Sequence, residues 1–323
     1  MAVGVAFAWV AGLLWGLVFV APLMLPEYPA TLQAVARYLA FGLICLPLAW
    51  LDRAHLRGLT RADWVEALKL AAVGNLLYYT FLASSIQRTS GPLSTVIIGT
   101  LPVVIAVVAN LRNGQRDGRL PWRLLIWPLG LMLAGIALVN HVEMAQIRTQ
   151  GADALTQYVL GAVLAVAAVI CWTWYPLRNA DWLRHHPGRS PRAWATAQGL
   201  ATLPLAGVGY AALWGWMHAS GSPFAMPLGP RPEFFLALMI SVGLLASWLG
   251  TLCWNEASQR LPTALAGQLI VFETLAALVY AYLWRQQWPE GPTVVGVVLL
   301  LLGVWWAIRI KPVPIGAEAK MKG

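Results

Sequence analysis

Residues 157–192 read QYVLGAVLAVAAVICWTWYPLRNADWLRHHPGRSPR. From Gln157 to Leu177 there is not one charged side chain; Arg178, Arg184, Arg189 and Arg192 then follow within a short gap. A run of that length and apolarity suits the ~30 Å hydrocarbon layer of a bilayer, which needs about 20 residues of helix. The arginines that close it mark one side of that layer.

The same reading repeats outward in both directions. Apolar runs lie at 3–22, 30–51, 64–85, 92–112 and 122–140, and again at 157–178, 193–216, 233–256, 262–284 and 293–310. The chain is 59% hydrophobic and 11% charged, against about 25% charged for soluble domains. The gaps are short, so residues 1–323 form a single integral membrane domain with no soluble catalytic part. The first run lacks a basic flank ahead of it and is expected to be a retained helix rather than a signal peptide. The fold class expected is an all-α membrane protein of ten transmembrane helices.

The basic residues alternate between gaps. Arg53, Arg57 and Arg61 fill the second gap, Arg112, Arg116, Arg119 and Arg123 the fourth, and the four arginines above the sixth. Arg260 follows run eight, and Arg309, Lys311, Lys320 and Lys322 end the chain. Arg88, Arg148, Arg231 and Arg285 alone serve the other gaps. Positive residues stay in the cytoplasm, so both termini are expected there. The net charge of +9 is thus topogenic, and no nucleic-acid partner is expected; membrane lipid and a small molecule are.

Five is odd, so runs 1–5 (repeat one, 1–145) and 6–10 (repeat two, 155–312) enter from opposite faces, leaving 313–323 as a cytoplasmic tail. Faint internal matches support a duplication. Gly4…Trp15 and Gly161…Trp172 share a spacing, Ser85-Ile86-Gln87-Arg88 matches Ala257-Ser258-Gln259-Arg260, Leu101-Pro102 aligns with Glu273-Thr274, and Gly135 with Gly303. Inverted repeats place a binding site near the midplane, in a cavity between the halves.

These features resemble the ten-helix, EamA-like drug/metabolite transporter superfamily, over nearly the whole chain. Trp15-Gly16, Arg37-Tyr38, Pro102, Glu273 and the glycine-spaced closing runs carry the resemblance, which is nearest to the aromatic amino acid exporter branch. It implies a secondary transporter of the bacterial inner membrane that exports amino acids by alternating access. A multidrug or quaternary-cation exporter of the same superfamily is the other reading. Two departures stand out: Glu273-Thr274 replaces Glu-Pro, so run nine lacks the proline that would break it, and Asn113-Gly114-Gln115 replaces Gly-Glu.

Candidate site residues follow from polarity and depth. Asn75, Tyr78, Tyr79 and Leu82 share a helical face of run three, and Ser247 and Thr251, with Trp248 and Asn255 alongside, occupy the corresponding part of run eight. Such groups either bond helices together or line a cavity. Trp15, Trp172, Trp248 and Tyr175 could form an aromatic wall, which also suits an ammonium by cation–π attraction. Seven other tryptophans, Trp182 and Trp194 among them, are expected at the water interface. Two full charges lie within runs: Arg37, and Glu273 roughly 16 Å into run nine. Each costs at least ~2.5–3.5 kcal/mol to insert. Either they brace helices, or Arg37 meets a carboxylate and Glu273 an ammonium or proton. Thr95 and Gln268 would add neutral hydrogen bonds, and Pro102 a kink at the cavity.

No phosphate-binding glycine loop, clustered nucleophile or paired carboxylate occurs, and Cys45, Cys171 and Cys253 fall singly inside runs. Neither an enzyme, an ATP-driven pump, a cofactor nor a metal is expected. No feature specifies an oligomeric state.

Overall fold

The computed structural model describes residues 2–89, 92–117, 121–147, 152–261, 263–286 and 288–310. Among these the chain is all-helical. The expected tail 313–323 and the lysines in it lie outside the described residues.

Apart from the one-turn helix Arg53–Leu56, the described helices fall into ten elements: α1 (Ala2–Met24), α2 (Ala30–Leu51), α3 (61–89), α4a and α4b (Pro92–Ile98 and Leu101–Asp117), α5 (Trp122–Ile147), α6 (Ala152–His185), α7 (Pro191–Ala219), α8 (Pro232–Arg260), α9a and α9b (Thr263–Leu269 and Val271–Arg285), and α10 (Gly291–Arg309). Six helices are long and apolar enough to cross a membrane: α1, α2, α6, α7, α8 and the stretch Leu265–Arg285. The remainder fall short for visible reasons. α3 carries Asp63, Glu66 and Lys69 in its first turns; α4 is broken; the apolar parts of α5 and α10 are shorter, at Trp122–Leu138 and Gly291–Ala307.

Local chemistry sets the boundaries. Thr60 caps α3 in a capping box, its hydroxyl accepting from the Asp63 backbone N–H at 3.2 Å while the Asp63 carboxylate accepts from the Thr60 N–H at 2.8 Å. Ser190 caps α7 ahead of Pro191, which has no amide hydrogen to lose there. Pro102 sits in the first turn of α4b, just after the break at Gly99-Thr100. It therefore starts a helix rather than kinking one. α9 breaks at Ile270, the equivalent place, although Thr274 stands where proline was the expected cause. The Glu273 N–H bonds the Ile270 carbonyl at 2.9 Å, so a tight turn makes the break without proline.

α3 and α8 each change to π-helix in the middle, at Ala71–Leu77 and Gly243–Leu249. The two π segments begin 172 residues apart, the same separation that aligns the ends of runs three and eight. Packing is reciprocal as well. Gly4 lies against Arg260 and Leu261 at the end of α8, and Gly161 against Arg88 and Thr89 at the end of α3. Gly135 of α5 abuts Gly296 and Leu300 of α10, while Gly303 of α10 abuts Pro128 and Met132 of α5. A β-carbon at Gly303 would stand 2.7 Å from the Pro128 carbonyl oxygen, so only glycine permits this approach.

The helices form two triplets that exchange members between halves. α1 packs on α8 and α9, and α6 on α3 and α4; α2 pairs with α7, and α5 with α10. The arginine-rich gaps gather at one end of the bundle. There Arg192 pairs with Asp52, Arg178 with Glu66, and Arg112 with Asp181 at 2.7 Å. At the opposite end Arg231 pairs with Glu27 at 2.5 Å.

Candidate functional site

Between the two triplets lies a cavity of about 10 Å³, room for about one water. Trp15, Val18, Arg37, Tyr38, Asn75, Tyr78, Trp172, Ala246, Ser247, Thr251 and Glu273 line it. Six helices thus meet at one point, most of them through polar or aromatic side chains that a lipid-facing surface would not favour.

Glu273 is 1% exposed. Its two oxygens take one donor each: Tyr78 Oη to Oε1 and Trp172 Nε1 to Oε2, both at 3.3 Å. Both donors come from the opposite triplet, so the carboxylate ties α9 to α3 and α6. Trp172 is sandwiched in a stack, 4.4 Å from Tyr78 and 5.0 Å from Tyr175, and Trp15 meets its edge at 4.9 Å. Offset and edge-on contacts of this kind fit the ring quadrupole.

Arg37 is 4% exposed and has no carboxylate partner among the described residues. Its Nε donates to Ser247 Oγ at 3.0 Å. Its guanidinium carbon lies 4.3 Å from the Tyr79 ring centre and 4.8 Å from that of Tyr38, which softens the burial by cation–π attraction. The Nη1 group is buried without an acceptor, an arrangement that ordinarily costs more than a neutral donor left unpaired.

The π segments explain how the backbone reaches the cavity. In an α-helix the Gly250 N–H would bond the Ala246 carbonyl; here it bonds Leu245, one residue further back. Ala246 O is released, and Trp15 Nε1 donates to it at 2.9 Å. Gly250 makes room for the indole, since a β-carbon there would be 2.7 Å from Trp15 Nε1.

A buried polar chain continues toward the basic end. Asn75 Nδ2 donates to Thr202 Oγ1 at 3.0 Å, and Thr202 in turn to the Gln198 carbonyl at 2.7 Å. Tyr175 Oη donates to Gln198 Oε1 at 2.8 Å, and Gln198 Nε2 to Asn179 Oδ1 at 3.1 Å. Asn179 Nδ2 donates to Asn255 Oδ1 at 2.8 Å.

Nine of the residues expected from sequence meet here: Trp15, Arg37, Asn75, Tyr78, Trp172, Ser247, Thr251 and Glu273 on the wall, and Tyr175 behind Trp172. The others go elsewhere. Tyr79, the next residue after Tyr78, is off the wall and covers Arg37 instead. Trp248 points to α7, its Nε1 donating to Thr196 Oγ1 at 3.3 Å. Thr95 and Pro102 are buried off the wall, at the two sides of the α4 break. Gln268 lies in α9a, its side chain outside the described residues. Trp182 and Trp194 are a clear correction. Far from anchoring an interface, they are buried and stacked at 3.4 Å, bonding Asp63 and Asn179. Tyr38, Val18, Gln198 and Asn179 were not expected; uncharged polar residues i, i+4 within an apolar run, as Gln198 and Thr202 are, were the available sign.

Residues 2–141 match the model of the EamA-like transporter family. "Inner membrane protein YtfF" of Escherichia coli (strain K12) is 53% identical over 311 residues, 96% of each chain. The chain belongs to the EamA-like transporter family. It is therefore a membrane transporter and not an enzyme, with a small molecule as its substrate. A solved structure, "Crystal structure of protein", shares the fold: it is 17% identical, covers 95% of this chain and 96% of that one, and superposes with a TM-score of 0.67.

Proposed function

We propose that this EamA-like transporter is a secondary carrier that exports neutral amino acids, aromatic ones included, across the bacterial inner membrane. Ten spans in two inverted five-helix repeats, with both termini cytoplasmic, form the scaffold. The reciprocal Gly4/Gly161 and Gly135/Gly303 packing, the matched π segments and the matched breaks in α4 and α9 support that arrangement. The arginines gathered at one end support the orientation, as does the name of the Escherichia coli relative for the membrane.

The observation that carries the substrate class is the pair of separated charges. Arg37 keeps a buried donor without an acceptor, and Glu273 is held by two neutral donors rather than by Arg37. An α-amino acid supplies the missing carboxylate to Arg37 and an ammonium to Glu273, while Trp15, Trp172 and Tyr78 receive its side chain. A cavity of about 10 Å³ holds no amino acid, so this is a closed state, and loading requires the two triplets to separate. Alternating access by rocking of α1-α8-α9 against α3-α4-α6 meets that requirement.

A quaternary-cation exporter is the second reading, favoured by Glu273 standing among aromatic rings. It gives Arg37 no task. Uptake of labelled amino acids into proteoliposomes, with and without a pH gradient, tests the proposal. Saturable uptake of neutral amino acids by the parent and its loss in Arg37→Leu are expected; no saturable uptake of any amino acid would overturn it.

A further inference from the structure

Three buried polar atoms at the basic end have no hydrogen-bond partner among the described residues: Trp254 Nε1, Ser258 Oγ and Thr263 Oγ1. They border a second cavity of about 10 Å³ between the triplets, walled by Pro176, Ala180 and Arg184 of α6 and closed by Ile105 against Gly267. Buried polar groups left unpaired are rare in a settled interior. They are natural where the surface is wet in another state of the molecule.

Two contacts hold this closure across the triplets: Asn179 on Asn255 at 2.8 Å, and Arg184 Nη2 on the Leu261 carbonyl at 3.0 Å. Asn179 does not stand alone. Its Oδ1 accepts from both Trp194 Nε1 at 2.9 Å and Gln198 Nε2 at 3.1 Å, which fixes which face its amide turns to Asn255. Gln198 reaches the other way too, its Oε1 receiving the Tyr175 hydroxyl and its backbone carbonyl the Thr202 hydroxyl that holds Asn75. Gln198 is 0% exposed, and its bonds lead through Thr202 to Asn75 on the central wall and directly to Asn179 of the Asn179–Asn255 pair.

We propose that Gln198 is a positioning residue that couples occupancy of the central cavity to a closure on the basic side, made by Asn179 and Asn255. A ligand that displaces Trp172 moves Tyr175, which stacks on it at 5.0 Å. Gln198 Oε1 then loses the hydroxyl that donates to it, the amide is free to turn, and Asn179 loses one of the two donors that orient it. The closure loosens, Asn179 parts from Asn255, and Trp254, Ser258 and Thr263 meet water. The links from Tyr175 through Gln198 and Asn179 to Asn255 are neutral hydrogen bonds, which exchange between protein and water at small net cost. The inference rests on the rocking of the triplets proposed above, but on no particular substrate.

The test reads the closure directly. Ser258→Cys is introduced where Cys45, Cys171 and Cys253 have been replaced by serine or alanine, and inside-out membrane vesicles are labelled with a membrane-impermeant maleimide. Ser258 is 2% exposed, so labelling in this parent is slow. Loss of one neutral hydrogen bond shifts such an equilibrium about 2- to 10-fold. Gln198→Leu, Asn255→Leu and Tyr175→Phe are each expected to raise the labelling rate by that factor. Gln198→Leu combined with Asn255→Leu is expected to raise it by less than the product, because both act through Asn179. Gln198→Glu keeps the acceptor for Tyr175 and loses the donor to Asn179, so it labels like Asn255→Leu and serves where the leucine variant does not fold. A rate that rises in Asn255→Leu yet stays at the parent value in Gln198→Glu and Tyr175→Phe overturns the coupling. A parent labelled as fast as every variant overturns the closure itself. Neither result bears on amino-acid uptake, so failure here and failure of the substrate proposal are separate.

Discussion

Gly250→Ala is the sharpest probe of the π segment. A β-carbon at 250 would stand 2.7 Å from Trp15 Nε1 and 2.9 Å from Trp15 Cδ1. The indole has nowhere to retreat, since Trp172 and Trp254 flank it at 4.9 and 5.2 Å. It must give up the 2.9 Å bond to Ala246 O, leaving a buried donor and an already released carbonyl unpaired, at about 1–3 kcal/mol. Overpacking adds about 1–3 kcal/mol. Against this, alanine improves on glycine in a helix by about 1 kcal/mol, and residue 250 has ordinary helical angles that alanine accepts. The clash wins, by roughly 1–5 kcal/mol net. The assay is the apparent melting midpoint in detergent at one fixed scan rate, which a chain of this size lowers by roughly 2 °C per kcal/mol. The same substitution is repeated in a Trp15→Leu background, where no indole remains to be struck. There Gly250→Ala is expected to be neutral or stabilising, a coupling of at least ~1 kcal/mol between the two sites. Equal destabilisation in both backgrounds would refute the reasoning, because the cost would then lie in the helix and not in the indole it cradles.

Arg37→Leu removes a buried charge that costs at least ~2.5–3.5 kcal/mol to insert. Thermal stability should hold or rise while amino-acid uptake is lost; a collapse in stability would make Arg37 a brace instead. Glu273→Gln should raise the apparent KM for an amino acid about 10- to 100-fold, the worth of a charged hydrogen bond, and pH-driven uptake that survives would remove Glu273 as a proton carrier. Asp63 is buried, which favours its neutral form, but the Thr60 backbone N–H, the Trp182 indole, the Thr60 hydroxyl and the His186 charge outweigh burial and hold its carboxyl below the usual range. A lowered folded value stabilises above the ordinary carboxylate pKa of about 3.9, and that stability is lost as pH falls further. Asp63→Asn should therefore lower the melting midpoint at neutral pH and flatten its decline below about pH 4.

Much of the architecture could be read from residue positions. Gly4, Gly161, Gly135 and Gly303 are weak matches in so apolar a chain, yet Gly4 and Gly161 pack at the ends of α8 and α3, and Gly135 and Gly303 each pack against the other's helix. The two buried charges led to the central cavity because hydrocarbon tolerates neither without a purpose. Other features left no such trace. The π segments AAVGNLL and GLLASWL contain nothing that an α-helix would refuse, so neither they nor the Ala246 carbonyl released to Trp15 could be foreseen. Trp182 and Trp194 sit beside arginines, where an indole usually marks a water interface; only tertiary contact shows them stacked inside. Gln198 and Asn179 earn their meaning from each other, and no spacing rule links residues on different helices.

The most direct test of the account is counterflow of labelled L-phenylalanine in proteoliposomes, competed by unlabelled L-phenylalanine or by its decarboxylated amine. If Arg37 reads a carboxylate and Glu273 an ammonium, the amino acid competes and the amine does not. Competition by the amine and by quaternary cations, with no saturable counterflow of any amino acid, would contradict it.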